Sequence, residues 1–405
     1  MPTHILVECP EYVVSASLGV VECLKPIEEI GACIVRFAES ARIRAKDILW
    51  ADILVTVRGA EPLTVNIVRE AKKAGRLIVY YLDDDLLHVP EESLARAYYQ
   101  DPIIREGMQT LLTDADVLWG VNPNIRKLYL PLTRQARWIE NRVPKEPAEL
   151  QALSENEKPV KILYAGSTDH SVMVKELLTP VIRRLCMEYG ERIDVTFIGV
   201  DPCLDDMTNV HYIPFIKPYE VYQDYVNKSG FAIGLAPGRT TQFYACKYYN
   251  KFLEYTTIGA VGVYTRAEPY TLVVEDGVNG VLCDNSEDGW YSAIRSLLDD
   301  PELLWRCAAS ARELLRERYN RETVTEDLLR QCPEFQTFHA PDYQGKIRIC
   351  RFPFLRFYRS RAELLWRQKG VSCIPEMLWR TFKILSISAL RGIKSLVQNL
   401  FKRNN

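Results

Sequence analysis

Short apolar segments alternate with longer amphipathic ones along most of the chain. Twelve of the apolar segments have the length and β-branched composition of buried strands. These predicted strands are 4–7, 33–37, 53–57, 77–82, 117–121, 137–140, 160–166, 194–199, 210–215, 231–237, 260–265 and 280–284. Segments with helical period separate them, for example 62–75, which ends at Gly75. Continuous apolar strands that alternate with helices predict parallel sheets covered on both faces.

The segment 143–159 interrupts this alternation, because it is polar and contains three prolines. We interpret it as a linker. The sequence thus predicts an α/β protein with two Rossmann-like, doubly wound domains, 1–145 and 158–335, followed by a helical extension at 340–405. Ligands of such sheets bind outside the carboxyl ends of the strands, so the cleft between the two domains is the expected site.

The composition fits a globular protein of two domains, with 405 residues, 47% hydrophobic and 26% charged. No apolar run reaches the roughly 20 residues that span a bilayer, and residues 1–14 lack the layout of a signal peptide. These features predict a cytoplasmic protein. The 11 cysteines are scattered without a Cys-x-x-Cys pair, which predicts reduced thiols and no zinc site.

The net charge of −2 conceals a basic C-terminal region. From residue 340 onward there are 14 Lys and Arg against 3 Asp and Glu, whereas the rest of the chain has 37 against 50. Residues 376–403 have helical period, with a broad apolar face opposite Arg380, Lys383, Arg391, Lys394 and Lys402. Such a helix is typical of a peripheral contact with a membrane surface. The alternative is that its apolar face packs on the acidic body. No nucleic-acid-binding motif accompanies the charge, so nucleic acid is not a predicted partner.

The segment CKYYNKFLEYTTIGAVGVYT, 246–265, carries candidate chemistry. On a helix, Lys247, Lys251 and Glu254 would share one face, because they are four and three residues apart. Two ammonium groups and a carboxylate could bind a nucleoside diphosphate and its ribose hydroxyls. The alternative is a solvated face with an internal ion pair.

The segment 266–284 predicts a short helix that begins at Tyr270–Thr271 and ends at Gly277, followed by a tight turn at Asn279–Gly280. A helix N-terminus at the carboxyl end of a strand binds anions. Together, about 40 residues from Lys247 onward resemble the donor-nucleotide region of family 4-like GT-B glycosyltransferases. The resemblance implies that Glu254 holds the ribose and that the loop at Tyr270 and Thr271 contacts the phosphates.

The opening of the second domain, ILYAGSTDHSVMVKELL, is similar to the G-S-x-x-H opening of the same group. Gly166 and Ser167 lie between strand and helix, where backbone N–H groups can face a phosphate. The resemblance implies a sugar-facing role for His170. The alternative is a helix-cap residue.

The chain departs from that group at its diphosphate clamp. Many relatives have an Arg and a Lys in this helix, whereas this chain has only Lys175. We expect Arg239, Lys247 and Lys251 to supply the positive charge instead. In the first domain, residues 15–31 are similar to the loop and helix after the first strand of these enzymes, which implies that Gly19 lets the backbone approach the donor phosphate. The alternative is a simple turn.

Three consecutive carboxylates, Asp83, Asp84 and Asp85, follow the strand 77–82. In metal-dependent transferases of another class, Asp-x-Asp binds Mn²⁺ or Mg²⁺ beside the nucleotide. Here the nucleotide features lie in the other domain, so a metal site is not predicted. We expect one carboxylate, foremost Asp84, to orient or deprotonate the acceptor hydroxyl. The alternative for Asp83 or Asp85 is the capping of a turn before Pro90.

The sequence therefore predicts a glycosyltransferase that moves a sugar from a nucleoside diphosphate donor to a glycan or lipid-linked acceptor. It predicts no metal and no cofactor beyond this co-substrate. One alternative is a catalytically silent GT-B subunit that binds a partner transferase or a glycan, which the missing clamp would explain. Another is a nucleotide-sugar epimerase on the same fold.

Overall fold

The computed structural model describes residues 1–10, 16–91, 93, 95–147, 149, 159–349, 362–363, 365–367, 370–375 and 378. The predicted basic helix at 376–403 lies outside these residues, except for one position. Its contact with a membrane or with the body of the protein therefore stays a prediction.

The described residues form two parallel sheets of six strands each, which confirms the predicted fold class. The first sheet has the order β2-β1-β3-β4-β5-β6. Its strands are β1 (Thr3–Cys9), β2 (Cys33–Glu39), β3 (Ile53–Val57), β4 (Leu77–Leu82), β5 (Val117–Gly120) and β6 (Arg137–Glu140). The second sheet has the order β12-β11-β10-β7-β8-β9. Its strands are β7 (Val160–Ala165), β8 (Ile193–Ile198), β9 (Val210–Ile213), β10 (Ile233–Ala236), β11 (Val261–Thr265) and β12 (Val281–Cys283).

Helices cover both faces of each sheet. In the first half they are Glu22–Glu29, Ala45–Trp50, Pro62–Lys73, Arg96–Tyr99, Pro102–Asp114 and Pro123–Tyr129. In the second half, Ser171–Met173 continues through a π-helical turn, Val174–Leu178, into Thr179–Tyr189. The others there are Tyr219–Ser229, Gln242–Ala245, Asn250–Thr257, Glu287–Asp299, Pro301–Arg318, Arg321–Gln331 and Glu334–Thr337. Proline at the first helical position starts several of them, where its missing N–H costs nothing.

Each sheet reverses its strand order at one point. In the second sheet the chain runs outward from β7 through β8 to β9, then crosses back to β10 on the other side of β7. In the first sheet the reversal lies between β1 and β3. Connections diverge above such a point, so a crevice opens at the carboxyl ends of the strands.

The last helices of the second half return to the first sheet. The ring of Phe335 lies 5.5 Å from that of Trp119, with both side chains fully buried. Gln331 accepts a hydrogen bond from the backbone N–H of Glu140 at 2.8 Å. Farther on, Arg76 donates to the carbonyl of Pro341 at 2.9 Å. The two halves are therefore joined by two crossings, the segment 141–147 and the segment 319–348.

A buried carboxyl lies at the reversal point of the first sheet. Glu8, in β1, is fully buried and accepts hydrogen bonds from the hydroxyls of Ser40, Thr56 and Thr64. Burial raises the pKa of Glu8, and these three hydrogen bonds reduce but do not cancel the effect. The folded protein therefore holds the Glu8 proton more tightly than the unfolded chain does.

This cluster predicts how stability changes with pH. A carboxyl whose pKa is raised by folding contributes its full stabilisation below the unfolded pKa of about 4.3, and that contribution is lost as pH rises through the folded value. As pH rises above about 4.3, we therefore expect wild type to lose stability relative to Glu8→Gln. Urea unfolding of both proteins at several pH values measures this. A stability difference that stays constant with pH would contradict it.

Candidate functional site

The carboxyl ends of both sheets meet in a cleft, where a pocket lies above the reversal point of the second sheet. Its walls come from three strand ends: the loop after β7, the loop after β10 and the loop after β11. The lining includes His170, Gly238, Arg239, Lys247, Glu268 and Tyr270. Four of the predicted site residues, His170, Arg239, Lys247 and Tyr270, are thus brought together.

Hydrogen bonds hold the floor of this pocket in place. The backbone N–H of Gly238 donates to the hydroxyl of Thr265 at 2.8 Å, and the amide of Asn285 donates to the Gly238 carbonyl at 2.6 Å. The Thr265 hydroxyl in turn donates to the Asn285 side chain at 2.7 Å. The loop after β10 is therefore fixed before any ligand binds, which lowers the entropic cost of binding.

His170 is neutral in this environment. Burial lowers its pKa to about 4, and the positive charges of Lys247, Lys251 and Arg239 act in the same direction against the weaker opposing effect of Asp169. A neutral imidazole has one N–H donor and one acceptor nitrogen. His170 can therefore hydrogen-bond a hydroxyl group without adding charge to the pocket.

Glu254 and Lys251 form an ion pair on the helix Asn250–Thr257. The ammonium of Lys251 lies 2.9 Å and 3.0 Å from the two carboxylate oxygens of Glu254. The hydroxyl of Tyr222 also donates to Glu254. The pKa of Tyr222 is raised by burial and by this neighbouring carboxylate, so the phenol keeps its proton. The Glu254 carboxylate is thus held in one orientation at the cleft.

The sequence spacing predicts that Lys247 shares a helix face with Lys251 and Glu254, but in the structure it does not. The chain forms a separate short helix, Gln242–Ala245, and the longer helix begins only at Asn250. The buried Tyr248 and Tyr249 lie in between and break the helical phase. Lys247 consequently points across the cleft, where its ammonium contacts Asp84 of the first domain at 3.1 Å.

Asp83 and Asp84 are both paired with cations. The guanidinium of Arg58 contacts Asp83 at 2.5 Å and also contacts Asp84. Burial opposes ionisation of Asp84, but Lys247 and Arg58 outweigh it and hold the pKa of this carboxyl below its ordinary value. A carboxylate with a lowered pKa is a weak base, so the geometry favours orientation of a hydroxyl over removal of its proton.

Asp85 is fully buried and has a different set of partners. It accepts hydrogen bonds from the hydroxyl of Tyr129 at 2.8 Å and from Gln242 of the second domain at 3.0 Å. The Nδ1 atom of His88 lies 2.9 Å from both carboxylate oxygens. These contacts give Asp85 a positioning role between the two domains. The contact with His88 is between two side chains and is not the capping of backbone N–H groups that the alternative expected.

Two asparagines connect the same edges of the sheets. Asn122 is fully buried, and its amide N–H₂ donates to the carbonyls of Ala245 and Lys247 at 3.0 Å and 2.8 Å. Asn124 donates to the Ala245 carbonyl at 3.0 Å and to Glu268 at 2.7 Å. The backbone around Lys247 is therefore fastened to the first domain.

The helix expected at Tyr270–Thr271 is only a 3₁₀ turn, Tyr270–Leu272. The backbone N–H groups of Tyr270 and Thr271 both donate to the carbonyl of Ala267, at 3.0 Å and 3.3 Å. They are thus occupied within the turn, and the expected helix N-terminus is absent at these two residues. The turn at Asn279–Gly280 does form, with the Gly277 N–H donating to the Gly280 carbonyl at 2.8 Å, and the Asn279 side chain donates to the Val273 carbonyl at 3.0 Å.

The two predicted glycines both lie against a tyrosine hydroxyl. A Cβ at Gly166 would come within 2.4 Å of the Tyr164 hydroxyl, and one at Gly19 within 2.1 Å of the Tyr81 hydroxyl. Both tyrosines are buried, so the close approach requires glycine. Ser167 is exposed beside the pocket loop. Contact of these residues with a phosphate stays a prediction.

Several residues of the cleft were not anticipated from the sequence. Arg58 directly follows β3, next to the strand that carries the three aspartates, and that adjacency could have revealed it. Tyr222 and Asn122 gave no comparable signal, because their partners are more than 30 residues away in sequence.

Lys145 is another residue of the cleft that was not anticipated. Burial lowers its pKa, and the nearby negative charges of Glu254 and Glu22 oppose this effect.

Within the described part of the chain, no three His, Cys, Asp or Glu side chains are grouped as a metal site requires. Over the same residues, no helix is both long and apolar enough to cross a membrane.

Comparison with solved structures shows that the chain has the GT-B fold. Anabaena Alr3699/HepE, solved in complex with UDP-glucose, matches with a TM-score of 0.58 at 13% identity, over 82% of this chain and 99% of that one. Sucrose-phosphate synthase from Thermosynechococcus elongatus matches with a TM-score of 0.55 at 13% identity, over 82% and 98% of the two chains. A glycosyltransferase from Rickettsia africae gives 0.54 at 12% identity, also over 82% and 98%. No family model and no curated protein sequence matches the chain.

The neutral state of His170 can be measured directly. Because its pKa is lowered to about 4 from an ordinary 6.5, we expect the imidazole to stay uncharged from pH 8 down to pH 5. Proton NMR of the histidine ring signals, with His170 assigned by its loss in His170→Gln, tests this. A titration midpoint near 6.5 would show that the ring is not held as the structure indicates.

Proposed function

We propose that this protein is a glycosyltransferase that moves a sugar from a nucleoside diphosphate donor to a glycan or lipid-linked acceptor. The observation that carries the proposal is the pocket at the reversal point of the second sheet. It combines two cationic side chains, Arg239 and Lys247, with the neutral imidazole of His170. Cations for a diphosphate beside a neutral hydrogen-bonding group for a sugar are what this chemistry requires.

The residues around the pocket suggest a division of roles. Arg239 and Lys247 bind the diphosphate, and the loop at Gly166–Ser167 approaches it from the end of β7. Glu254, held by Lys251 and Tyr222, accepts hydrogen bonds from the ribose hydroxyls. His170 contacts the sugar.

The rate enhancement would come from positioning and from stabilising the negative charge that develops on the leaving diphosphate. In this proposal cationic side chains do this without a bound metal ion. On the other side of the cleft, Asp84 orients the acceptor hydroxyl, with Asp83 and Asp85 in support through Arg58 and Gln242.

The solved structures of similar fold support a nucleotide-sugar donor. HepE has been solved with UDP-glucose and also with UDP and glucose, and WaaB, with a TM-score of 0.51, is described as a lipopolysaccharide outer core galactosyltransferase. An acceptor on a lipid would also give the basic segment 376–403 a purpose. We include in the proposal that this segment holds the protein at an anionic membrane surface.

The first test removes the groups that hold the ribose. Wild type is first screened against UDP, GDP, ADP and CMP by thermal shift, and the matching nucleotide sugars are then assayed for hydrolysis and transfer. We expect Glu254→Gln and Lys251→Met to lower kcat/KM by about 10- to 100-fold, because each removes a charged hydrogen-bonding partner.

The matched control is Lys228→Met, which breaks an exposed lysine–carboxylate pair with Asp224 on a neighbouring helix. It should leave turnover unchanged. If wild type binds a nucleotide but turns over no nucleotide sugar, the silent-subunit alternative is correct. If the donor sugar is isomerised without an acceptor, the epimerase alternative is correct.

The second test concerns the basic segment. We expect a chain that ends at residue 375 to lose flotation with vesicles containing about 30% anionic lipid, since each basic residue near such a surface contributes about 1 kcal/mol. Wild type should float with these vesicles and not with neutral ones. Equal flotation of the full and shortened chains would exclude membrane binding through 376–403.

A further inference from the structure

Lys247 belongs to two groups of residues at once. Lys247 lines the pocket with Arg239 and His170, and its ammonium contacts Asp84 of the first domain at 3.1 Å. The same ammonium lies 4.5 Å from the ring of Phe243 and 5.8 Å from that of Tyr244, so aromatic faces cover it on another side. The Asp84 carboxylate is the anion that neutralises Lys247 in this structure.

Asp84 is held in place from behind. Arg58 contacts both Asp83 and Asp84, and only about a fifth of its side chain is exposed, at 21%. Arg58 has a left-handed backbone conformation, with φ of 54°, and its N–H donates to the carbonyl of Tyr81 at 3.1 Å. A non-glycine residue rarely adopts this conformation, so the contacts around Arg58 must hold its backbone there. The ion pairs with Asp83 and Asp84 hold its guanidinium.

We infer that Asp84 competes with the donor diphosphate for Lys247, so that donor binding breaks the Asp84–Lys247 ion pair and uncovers the Asp84 carboxylate for the acceptor. The inference rests on the proposed function and deepens it, since it names a regulation of the same site. According to this inference, Asp84 lowers the affinity for the donor, because the donor must displace Asp84 from Lys247.

Each carboxylate keeps a cation as a partner in both states. Without donor, Lys247 is paired with Asp84, and Arg58 is shared between Asp83 and Asp84. With donor, the diphosphate takes Lys247, and Asp84 keeps Arg58 as its partner. Neither carboxylate is left unpaired in a partly buried site, which would be costly. A single cation thus changes partners while the rest of the cluster stays intact.

The test is a double-mutant cycle on ligand affinity. The probes are inorganic pyrophosphate and whichever of UDP, GDP or ADP binds wild type most tightly, measured by calorimetry. We expect Asp84→Asn to bind both probes about 3- to 10-fold more tightly than wild type, because the amide cannot neutralise Lys247. In a Lys247→Met background the same Asp84→Asn change should alter affinity by less than about twofold.

The matched control is Asp83→Asn, which removes a neighbouring carboxylate that contacts Arg58 but not Lys247. Its effect on affinity should be much smaller than that of Asp84→Asn. Unchanged or weaker binding by Asp84→Asn would overturn the inference. An equal gain in the Lys247→Met background would also overturn it, since the effect would then be one of overall charge.

A structure of wild type with the nucleoside diphosphate gives an answer that does not depend on folding of the variants. We expect a phosphate oxygen within hydrogen-bonding distance of the Lys247 ammonium and a separation from Asp84 beyond about 4 Å. An intact Asp84–Lys247 pair with the diphosphate bound would disprove the competition. If wild type binds neither probe, the proposed function fails and this inference fails with it. If wild type binds but Asp84→Asn gains nothing, only the inference fails.

Discussion

Positive charge concentrated in the cleft is the constraint around which this site is arranged. Like charges in a partly buried space repel strongly, because little water screens them. Two lysines of the cleft are each placed against a carboxylate, Lys247 against Asp84 and Lys251 against Glu254. His170, whose pKa is lowered by burial and by both lysines, stays neutral. These pairs stabilise the cleft when no ligand is bound. An anion that enters the cleft needs to displace only one carboxylate to contact a lysine.

The fold determines where these charges can meet. Parallel strands bring all their carboxyl ends to one edge, and the two sheets face each other along those edges. The helix with Lys251 and Glu254 is fixed to the second crossing between the domains, because Tyr249 receives a 2.8 Å hydrogen bond from the hydroxyl of Tyr319. The Tyr319 carbonyl accepts from the N–H of Lys145 in the first crossing at 2.7 Å. Lys251 and Glu254 are therefore positioned by the segments that connect the two domains.

Local patterns along the sequence were sufficient to predict the strands and the architecture. Apolar periodicity is a local property of the sequence. Strands that are buried on both faces of a parallel sheet are continuous apolar segments, which are easy to recognise. The likeness in fold to solved GT-B structures confirms the predicted fold. His170 and Arg239 lie after β7 and β10, but His170 was singled out by the family resemblance and Arg239 as a substitute cation, and the roles of both stay predictions.

Contacts between distant segments were not predictable in the same way. Lys247 was placed on the wrong face because a helix was assumed to run unbroken through Tyr248 and Tyr249, whereas their burial between the domains ends it. The N–H groups at Tyr270 and Thr271 were expected to be free, but a tight turn uses them. Arg58 was missed because its importance depends on which strand lies beside β3. For Lys247 and Arg58 the cause is packing between distant segments, whereas for Tyr270 and Thr271 it is a local turn that the sequence did not reveal.

The three aspartates acquire their distinct roles from this packing. Asp85 contacts His88 and joins the domains through Gln242. Asp83 contacts Arg58, and Asp84 lies between Arg58 and Lys247. Of the three aspartates, Asp84 is therefore the one whose ion pair would change when a donor binds Lys247. If a diphosphate takes Lys247, an acceptor hydroxyl gains access to a carboxylate that was covered before. Since Asp84 still contacts Arg58 when Lys247 is taken by the diphosphate, this arrangement of charges favours donor binding first and acceptor binding second.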